Sequence, residues 1–222
     1  MAEKNEINIV PLFATPLMQI QLDLDTDKLA ELAFQMRKEE KKGDYDFVNK
    51  GGWQSYNSAQ DPAYWKMVEE DHEELKKLKK EIAHHLQIYH SEVFRGMKFK
   101  ENVTRSIDNM WVNITEKHQY VDWHVHHNSN LSGVFYIKHD GAEKSGDILF
   151  KHPEWPQMSA LHWKKELVEV WNMTSGEILN ITPNSNMLLI FPSWAEHKVE
   201  LNLTDVPRIS LSFNSILSQE TK

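Results

Sequence analysis

The sequence contains no cysteine among its 222 residues. This absence excludes disulfide bonds, and it also excludes catalysis or metal binding through thiolates. No apolar run approaches the roughly 18–20 residues that a membrane-spanning helix needs. The first residues, MAEKNEINIVPLF, lack the basic start and the long apolar core of a secretory signal. We therefore expect a cytoplasmic protein that does not use a membrane.

Long blocks of basic residues are also missing. The formal net charge is −8, and lysine and arginine are interspersed with acidic residues. Proteins that bind a nucleic-acid backbone usually carry a basic patch, so a nucleic-acid partner is disfavoured. The apolar fraction of 40% and the charged fraction of 26% are those of an ordinary globular protein. We predict a single domain over residues 1–222, and a homodimer, the commonest assembly, is the default expectation.

Residues 1–102 are predicted to supply strands and supporting helices. The segment LMQIQLDL (17–24) partly alternates apolar and polar residues, which predicts a strand. A first helix is predicted to begin at residues 25–26, where Asp or Thr can cap it. A second is predicted to run unbroken through 61–94, because Pro suits the first helical position and one apolar stripe follows. The turn-rich stretch 42–60 predicts a loop.

Residues 103–216 are predicted to form the β core. Short apolar segments alternate there with clusters of Gly, Pro, Asn, Asp and Ser, a pattern typical of a β-sandwich or jelly roll. The fold class is therefore mainly β with flanking N-terminal α-helices. The predicted strand segments are SIDNMWVNI (106–114), SGVFYIKH (132–139), GDILFK (146–151), ELVEVW (166–171), EILNI (177–181), NMLLIFPS (186–193), HKVELNL (197–203) and RISLSFNSI (208–216).

Histidines in the β half have spacings that suit a metal site. His124 and His126 lie two apart in YVDWHVHH, so both side chains point to one face if the strand continues. His197 begins a later predicted strand, after the turn FPSW. Arg208 and Ser210 also lie two apart on a predicted strand and can face the same interior. The spacing of His124 and His126 can hold a metal, and His197 is the candidate for the second half of the site.

The order of these motifs resembles the iron(II)- and 2-oxoglutarate-dependent oxygenases, and most closely a branch found in bacteria and in phages of cyanobacteria. The resemblance covers roughly Met110 to Asn214. Its motifs are Trp111-Val112-Asn113, His124-Val125-His126, Ser132-Gly133-Val134-Phe135-Tyr136, Phe191-Pro192-Ser193, His197, and the run from Arg208 through Asn214.

The resemblance implies a double-stranded β-helix with iron(II) at one mouth and 2-oxoglutarate as cosubstrate. It implies that Arg208 binds the far carboxylate of 2-oxoglutarate and that Ser210 adds a hydroxyl donor. Asn113 and Tyr136 are predicted to border the site, where they bind the cosubstrate or only pack in the sheet. The implied reaction consumes O2, releases succinate and CO2, and hydroxylates a small-molecule or protein substrate. If the chain is encoded by a phage, its location is the host cytoplasm.

The third iron ligand is left open by this pattern. Most of the superfamily has Asp or Glu two residues after the first histidine, and this sequence has His126 there. We predict a three-histidine site made by His124, His126 and His197. The alternatives are Asp122, which alternates with His124, and a position open to water. Glu196 is predicted to point away from the metal.

Two other functions are compatible with parts of the pattern. A three-histidine cupin-type enzyme without 2-oxoglutarate explains the histidines but leaves the arginine without a role. A noncatalytic jelly-roll module for structure or binding explains neither the order nor the spacing of the motifs. Candidates for the substrate mouth are a lid at 151–166 and four tryptophans that alternatively fill the core: Trp123, Trp155, Trp163 and Trp194.

The remaining histidines are not predicted as ligands. His127 is expected on the opposite face of the strand, where it supports the ligands or lies at the surface. The others in the β half are expected in loops or on the surface: His118, His139, His152 and His162. Those on the long predicted helix are expected at the surface or in packing: His84, His85 and His90.

Overall fold

The computed structural model of the chain describes residues 14–40, 43, 47–161, 168–170 and 175–219. Its helices are α1 (Thr26–Glu39), α2 (Pro62–Asp71), α3 (Glu73–Val93) and α4 (Trp155–Leu161). Its strands are β1 (Met18–Gln21), β2 (Asn49–Lys50), β3 (Trp53–Gln54), β4 (Val103–Thr115), β5 (Tyr120–His124), β6 (Leu131–Lys138), β7 (Ile148–Lys151), β8 (Ile178–Ile181), β9 (Met187–Pro192), β10 (His197–Val199) and β11 (Arg208–Gln219). Across these ranges, no helix has both the length and the apolar character needed to cross a membrane.

The strands form two antiparallel sheets. The six-stranded sheet has the order β1-β9-β6-β11-β4-β3, and the five-stranded sheet has the order β2-β5-β10-β7-β8. Apolar residues of β6 and β9 meet those of β7 between the sheets and form one buried cluster. The non-sequential strand order and the two facing sheets are those of a jelly roll. The predicted mainly-β fold with N-terminal helices is confirmed.

The helices cover the other face of the six-stranded sheet. Apolar residues of α1, α2 and α3 pack with outward residues of β4, β6, β9 and β11 in a second buried cluster. Strand β11 shows how the two faces are divided. Ile209, Leu211 and Phe213 belong to the helix-side cluster, whereas Arg208 and the alternate residue Ser210 line a cleft between the sheets. The two-residue period of a strand therefore separates core from site.

The helix starts follow the predicted capping chemistry. The Asp25 carboxylate accepts a hydrogen bond from the Lys28 backbone N–H at 3.2 Å, which caps α1. The Asp61 carboxylate likewise accepts from the Tyr64 N–H at 3.0 Å, and Pro62 occupies the first position of α2. Both predicted helix starts are confirmed.

The prediction of one unbroken helix through 61–94 is wrong. The chain leaves the helical conformation at His72, where φ is −121° and ψ is 103°, and two helices result. Glu73 and Glu74 occupy the first turn of α3, where negative charge is favoured by the helix dipole. The bend brings Glu69 of α2 into an ion pair with Lys79 of α3. Ten residues of straight helix would separate those positions by about 15 Å, so the ion pair requires the break.

Seven of the eight predicted strand segments contain strands, namely β4 and β6 to β11. Of the eighth, 166–171, the described residues 168–170 have no strand, and the others lie outside the described residues. The N-terminal apolar stretch 7–13 lies outside them as well. The predicted strand at 17–24 contains β1, and the stretch 42–60, predicted as a loop, contains the short strands β2 and β3.

Gly133 on β6 is required by close packing across the sheet. A Cβ at this position would lie 2.3 Å from Cζ of Phe213 and 2.7 Å from the carbonyl oxygen of Leu189. Both separations are shorter than carbon atoms tolerate, so an added methyl group must displace a neighbouring strand or the ring. The absence of a side chain thus lets β9, β6 and β11 approach closely.

We expect Gly133→Ala to lower the free energy of unfolding by about 1–3 kcal/mol, measured by urea denaturation. Adding Phe213→Leu should relieve part of the overlap, so the double variant should lose less stability than the two single losses combined. Strict additivity, or no loss in the single variant, would contradict this packing.

Candidate active site

Two of the histidines face each other across a strand pair. His124 at the end of β5 and His197 at the start of β10 are direct antiparallel partners, and their ring centres lie 4.2 Å apart. Directly opposed residues on antiparallel strands have neighbouring side chains, so the register alone brings these imidazoles together. Phe150 of β7 is the partner of His197 on the other side, with ring centres 5.7 Å apart. His197 is buried between them.

The third histidine reaches the same place by a different local structure. Strand β5 ends at His124, so the expectation that one strand continues through His126 is wrong. The strand ends there because β10 begins at His197 and offers no further partner. The His126 backbone N–H instead donates to the Ser193 carbonyl at 3.0 Å. Its ring centre lies 5.1 Å from that of His124 and 5.3 Å from that of His197.

The imidazole nitrogens are arranged as metal ligands are. One ring nitrogen from each of the three histidines lies within 4.8 Å of the others. Nδ1 of His124 lies 2.7 Å from the Asp122 carbonyl oxygen, and Nδ1 of His197 lies 2.8 Å from the Ala195 carbonyl oxygen. A carbonyl can only accept, so both Nδ1 atoms carry hydrogen and each Nε2 presents a lone pair. Hydrogen bonds of this kind orient ligating histidines.

The electrostatic environment keeps His126 and His197 neutral. Burial, with smaller contributions from His124 and His127, lowers the pKa of His126 to about 3. Burial, followed by the effect of His124 and His126, also holds the pKa of His197 well below its usual value. A histidine must be neutral to bind a metal, so the protein maintains the ligand form at neutral pH.

The two carboxylates weighed as alternatives lie outside the cluster. The Asp122 side chain is exposed, and its Oδ1 accepts the N–H of Trp123 at 2.8 Å. Glu196 forms an ion pair with Lys151 at 3.2 Å, as expected for a side chain directed away from the cleft. Within the described ranges, the group of potential metal ligands therefore contains three imidazoles and no carboxylate.

Arg208 supplies a buried positive charge to the same cleft. Arg208 is only 4% exposed, and it lines the cleft together with the three histidines. None of the described carboxylates forms an ion pair with it, and its Nε has no hydrogen-bond partner among the described residues. Asp147 is also a buried carboxylate, but it accepts a hydrogen bond from Asn180 at 2.9 Å and forms no ion pair with Arg208. An uncompensated buried guanidinium is costly, which indicates a site for an anion.

The other predicted cosubstrate residues lie in one row beside Arg208. The strand register pairs Ser210 of β11 with Asn113 of β4 on one side and with Tyr136 of β6 on the other. Ser210 and Asn113 line the cleft, and the Asn113 amide donates to Ser212 Oγ at 3.1 Å. The structure thus brings Asn113 and Ser210 into the cleft together with Arg208.

Tyr136, the partner of Ser210 in this row, is fully buried and packs against the guanidinium. The Arg208 guanidinium carbon lies 5.2 Å from the centre of the Tyr136 ring. Burial raises the pKa of the Tyr136 phenol, and the positive charge of Arg208 partly opposes that shift. The phenol therefore stays protonated and retains a hydrogen to donate.

His139 does not lie at the surface as predicted. His139 is only 6% exposed. Its Nδ1 accepts the Gly141 N–H at 3.1 Å, and its Nε2 lies 3.2 Å from Ser145 Oγ. Burial, with a smaller effect of Arg208, lowers its pKa to about 4. Its ring centre lies 6.0 Å from that of Tyr136, so a neutral imidazole forms the wall behind that phenol.

The other histidines lie apart from the cluster, as predicted. His118 and His127 are exposed, and Nδ1 of His152 accepts the Glu154 N–H at 3.1 Å. His84, His85 and His90 lie on α3, away from the cleft between the two sheets. The prediction for His162 falls outside the described residues.

Trp111 and Gln54 are among the cleft residues that the sequence analysis did not assign to the site. Trp111 lines the cleft with its ring centre 5.7 Å from that of His126. The sequence could have predicted Trp111 in the cleft, because it lies two residues before Asn113 on β4 and alternate strand residues share a face. Gln54 of β3 also lines the cleft. It lies in a two-residue strand within a turn-rich stretch, where periodicity carries no information.

The four tryptophans named for the mouth have different locations. Trp123 projects from the opposite face of the sheet, with the amines of Lys151 and Lys198 at 5.7 and 5.3 Å from its ring centre. Trp155 is buried in α4, and Trp194 is 55% exposed in the turn after β9. Trp163 lies outside the described residues, as does the end of the predicted lid at 151–166. The described part of that segment contains α4.

Comparison with known proteins supports this fold. Residues 109–214 match the family model described as "Putative 2OG-Fe(II) oxygenase". The fold resembles a prolyl-4-hydroxylase from Pseudomonas putida, with 13% identity, TM-score 0.55 and coverage of 93% of this chain and 94% of that one. It also resembles the viral collagen prolyl hydroxylase of Paramecium bursaria Chlorella virus-1, at 11% identity, TM-score 0.50 and 90% and 94% coverage.

A third similar structure has a different reaction. It is the α-ketoglutarate-dependent carbocyclase SnoK from nogalamycin biosynthesis, with 11% identity, TM-score 0.56 and coverage of 93% of this chain and 82% of that one. No curated protein sequence matches this chain significantly. These structural similarities establish a shared fold, and the reaction has to be argued from the site.

The buried imidazoles predict a pH-dependent stability in the presence of a chelator. Unfolded histidine binds a proton near pH 6.5, whereas folded His126 does so only near pH 3. Protons therefore favour the unfolded state in between, and stability present above about pH 6.5 is lost as the pH falls. We expect urea denaturation to show this loss, with a slope of up to about 1.4 kcal/mol per pH unit for each such histidine.

His126→Gln removes one of these groups, so its stability should fall less steeply between pH 7 and pH 5. Other titrating groups are common to both proteins and cancel in the comparison. Equal slopes for the two proteins would show that His126 titrates normally in the fold.

Proposed function

We propose that this chain is an iron(II)- and 2-oxoglutarate-dependent dioxygenase that hydroxylates its substrate, because residues 109–214 match the family model of the 2OG-Fe(II) oxygenases. The proposed iron ligands are His124, His126 and His197. The observation that carries the proposal is a single cleft lined both by three clustered imidazoles and by a buried guanidinium that has no ion pair with any described carboxylate. A metal needs the first feature, and a dicarboxylate cosubstrate needs the second.

The residues fit the two groups that the family uses. Imidazole is a suitable ligand for iron, and the hydrogen bonds of His124 and His197 already direct Nε2 toward the shared space. With three neutral ligands, the net charge of the metal and its protein ligands is that of the divalent ion. This net charge is one unit more positive than in a site where one ligand is a carboxylate. Such a site favours the dianionic 2-oxoglutarate, because opposite charges attract strongly where water is excluded.

We propose that Arg208 binds the far carboxylate of 2-oxoglutarate. Its planar guanidinium can donate two parallel hydrogen bonds to a carboxylate, and binding compensates a charge that is otherwise buried alone. Ser210, next along the same face, adds a hydroxyl donor. The protonated Tyr136 phenol and the Asn113 amide border the same row and are proposed as further donors.

When bound, iron(II) with 2-oxoglutarate supplies the oxidising chemistry of the family, in which O2 is consumed and succinate and CO2 are released. The chain's own residues bind, orient and exclude water: the histidines fix the metal position, and Arg208 fixes the cosubstrate orientation. Trp111 and Gln54 line the cleft and are proposed to limit access of the substrate.

Hydroxylation is proposed because it requires only that a substrate C–H bond reaches the cleft. Two of the structures compared above are prolyl hydroxylases and the third is a carbocyclase, so the fold permits other outcomes of the same oxidant. A small molecule or a protein side chain is the proposed substrate class. A single domain over residues 1–222, a cytoplasmic location and a homodimer stay predictions from the sequence.

Anaerobic addition of iron(II) and 2-oxoglutarate to the purified protein tests the function. We expect the weak visible charge-transfer band of a chelated complex, followed by succinate release once O2 is admitted. Arg208→Ala should weaken 2-oxoglutarate binding at least about tenfold and spare iron binding, because a hydrogen-bonded charge pair contributes about 1.5–3 kcal/mol. His197→Ala should weaken both.

Lys117→Ala is a matched control, since it also removes one cation but from an exposed ion pair with Asp205. It should leave both affinities unchanged. Iron binding without the visible band would instead support the three-histidine enzyme that does not use 2-oxoglutarate. The absence of both signals would support a noncatalytic module.

The third ligand is tested by comparing His126→Ala with Asp122→Asn. Since the Asp122 side chain is exposed and outside the cluster, Asp122→Asn should keep wild-type iron affinity, measured by anaerobic calorimetry. His126→Ala should weaken iron binding about 10-fold or more, because one of three protein ligands is lost. The reverse order of effects would assign the carboxylate as the ligand.

A further inference from the structure

His126 is held differently from the other two histidines. His124 and His197 belong to the β5–β10 ladder, which fixes their positions through strand pairing. His126 lies beyond the ladder, and its backbone N–H bonds to the Ser193 carbonyl in the turn after β9. The Ser193 N–H in turn donates to the Asn130 carbonyl at 3.1 Å. The position of His126 therefore depends on what fixes Ser193.

A row of polar side chains on three strands, most of them buried, leads to Ser193. Asn109 of β4, Asn214 of β11 and Ser132 of β6 are direct partners in the strand register. Ser132 and Ser193 are each 1% exposed, and Asn214 is 7% exposed. The Asn214 amide donates to Asn109 Oδ1 at 3.1 Å. Ser132 Oγ lies 2.8 Å from Asn214 Oδ1 and 2.9 Å from Ser193 Oγ.

The hydrogen bonds in this row run in one direction. Asn214 Oδ1 can only accept, so the single hydroxyl hydrogen of Ser132 is donated to it. Ser132 Oγ must then accept the hydroxyl hydrogen of Ser193. At the far end, the Asn109 amide donates to the Asp108 carboxylate at 2.8 Å. Ser132, Asn214 and Asn109 therefore each accept one hydrogen bond and donate another, and bonds in such a chain strengthen one another inside a protein.

We propose that Ser193, Ser132, Asn214 and Asn109 form a positioning network for His126. The chain of hydrogen bonds fixes Ser193, and the Ser193 carbonyl sets where the His126 imidazole meets the other two. This inference rests on the proposed function, because it takes His126 as an iron ligand. None of the four side chains contacts the imidazole in the hydrogen bonds of the described residues, so their effect is exerted through the backbone of Ser193.

The alternative is that the row only stabilises the sheet. A structural role and a positioning role both predict lower stability when a link is removed. They differ in iron binding, because only the positioning role makes the effect of Ser132 depend on His126. A double-mutant cycle measures that dependence directly.

The experiment measures binding of iron(II) alone, by anaerobic calorimetry at pH 7.5, to the wild type, Ser132→Ala, His126→Ala and the double variant. We expect Ser132→Ala to weaken iron binding about 10-fold, the lower end of the effect of removing a residue that orients a ligand. In the His126→Ala background, Ser132→Ala should cause no further loss. Ser132→Thr keeps the hydroxyl and should restore at least half of the lost binding free energy.

Ser55→Ala is the control, because Ser55 is also fully buried and its hydroxyl accepts the Val112 N–H at 3.0 Å, away from the row. It should lower stability and leave iron affinity unchanged. Asn109→Ala, at the half-buried end of the row, is a second link and should cause a smaller loss that also disappears without His126. If Ser132→Ala does not fold, this variant decides the question.

Equal losses of iron affinity in both backgrounds, or none in the wild-type background, would overturn the positioning role while leaving the proposed function intact. If His126→Ala itself binds iron as the wild type does, the ligand assignment fails, and the positioning role fails with it. The two failures are therefore distinguished by the His126→Ala protein.

Discussion

The site depends on the antiparallel register that places His124 opposite His197. A shift of β10 by one residue would turn the His197 imidazole to the outer face, where Lys198 now lies beside Trp123. Phe150 on the neighbouring strand β7 packs against His197 and is fixed by the same register. The apolar cluster between the sheets, which includes Phe150 and Phe191, thereby specifies the position of two proposed ligands.

The two sheets contribute different chemistry to the cleft. The five-stranded sheet and the turns at its edge provide the imidazoles, and the six-stranded sheet provides Arg208, Ser210 and Asn113. Burial keeps His126 and His197 neutral, but Arg208 remains a cation without an acidic partner in the described part of the chain. The protein thus tolerates an electrostatic cost that a bound dicarboxylate would remove. That imbalance distinguishes this cleft from an ordinary buried polar cluster.

Much of this arrangement could be predicted from the sequence, because periodicity and order are local signals. The two-residue spacing of Arg208 and Ser210 correctly predicted a shared face on β11. The resemblance predicted that His124 and His197 lie close together, and the structure places them close together. Their role as metal ligands stays a proposal. The Asp61 cap and Pro62 correctly predicted the start of α2.

What sequence reasoning missed depends on tertiary contacts. The helix break at His72 is accompanied by an ion pair between two helices, which a single sequence does not display. The end of β5 at His124 is set by where β10 begins. His139 is buried because the chain after β6 folds back over it, and Gln54 reaches the cleft from a strand of two residues. None of these features has a period or a motif that a single sequence displays.

The central claim is that three imidazoles and no carboxylate bind one iron(II) ion. X-ray absorption spectroscopy at the iron edge of the anaerobic iron(II) protein counts imidazole ligands directly. The account predicts scattering from three imidazoles in the wild type and from two in His126→Ala. Two imidazoles in the wild type, unchanged in His126→Ala, would contradict it.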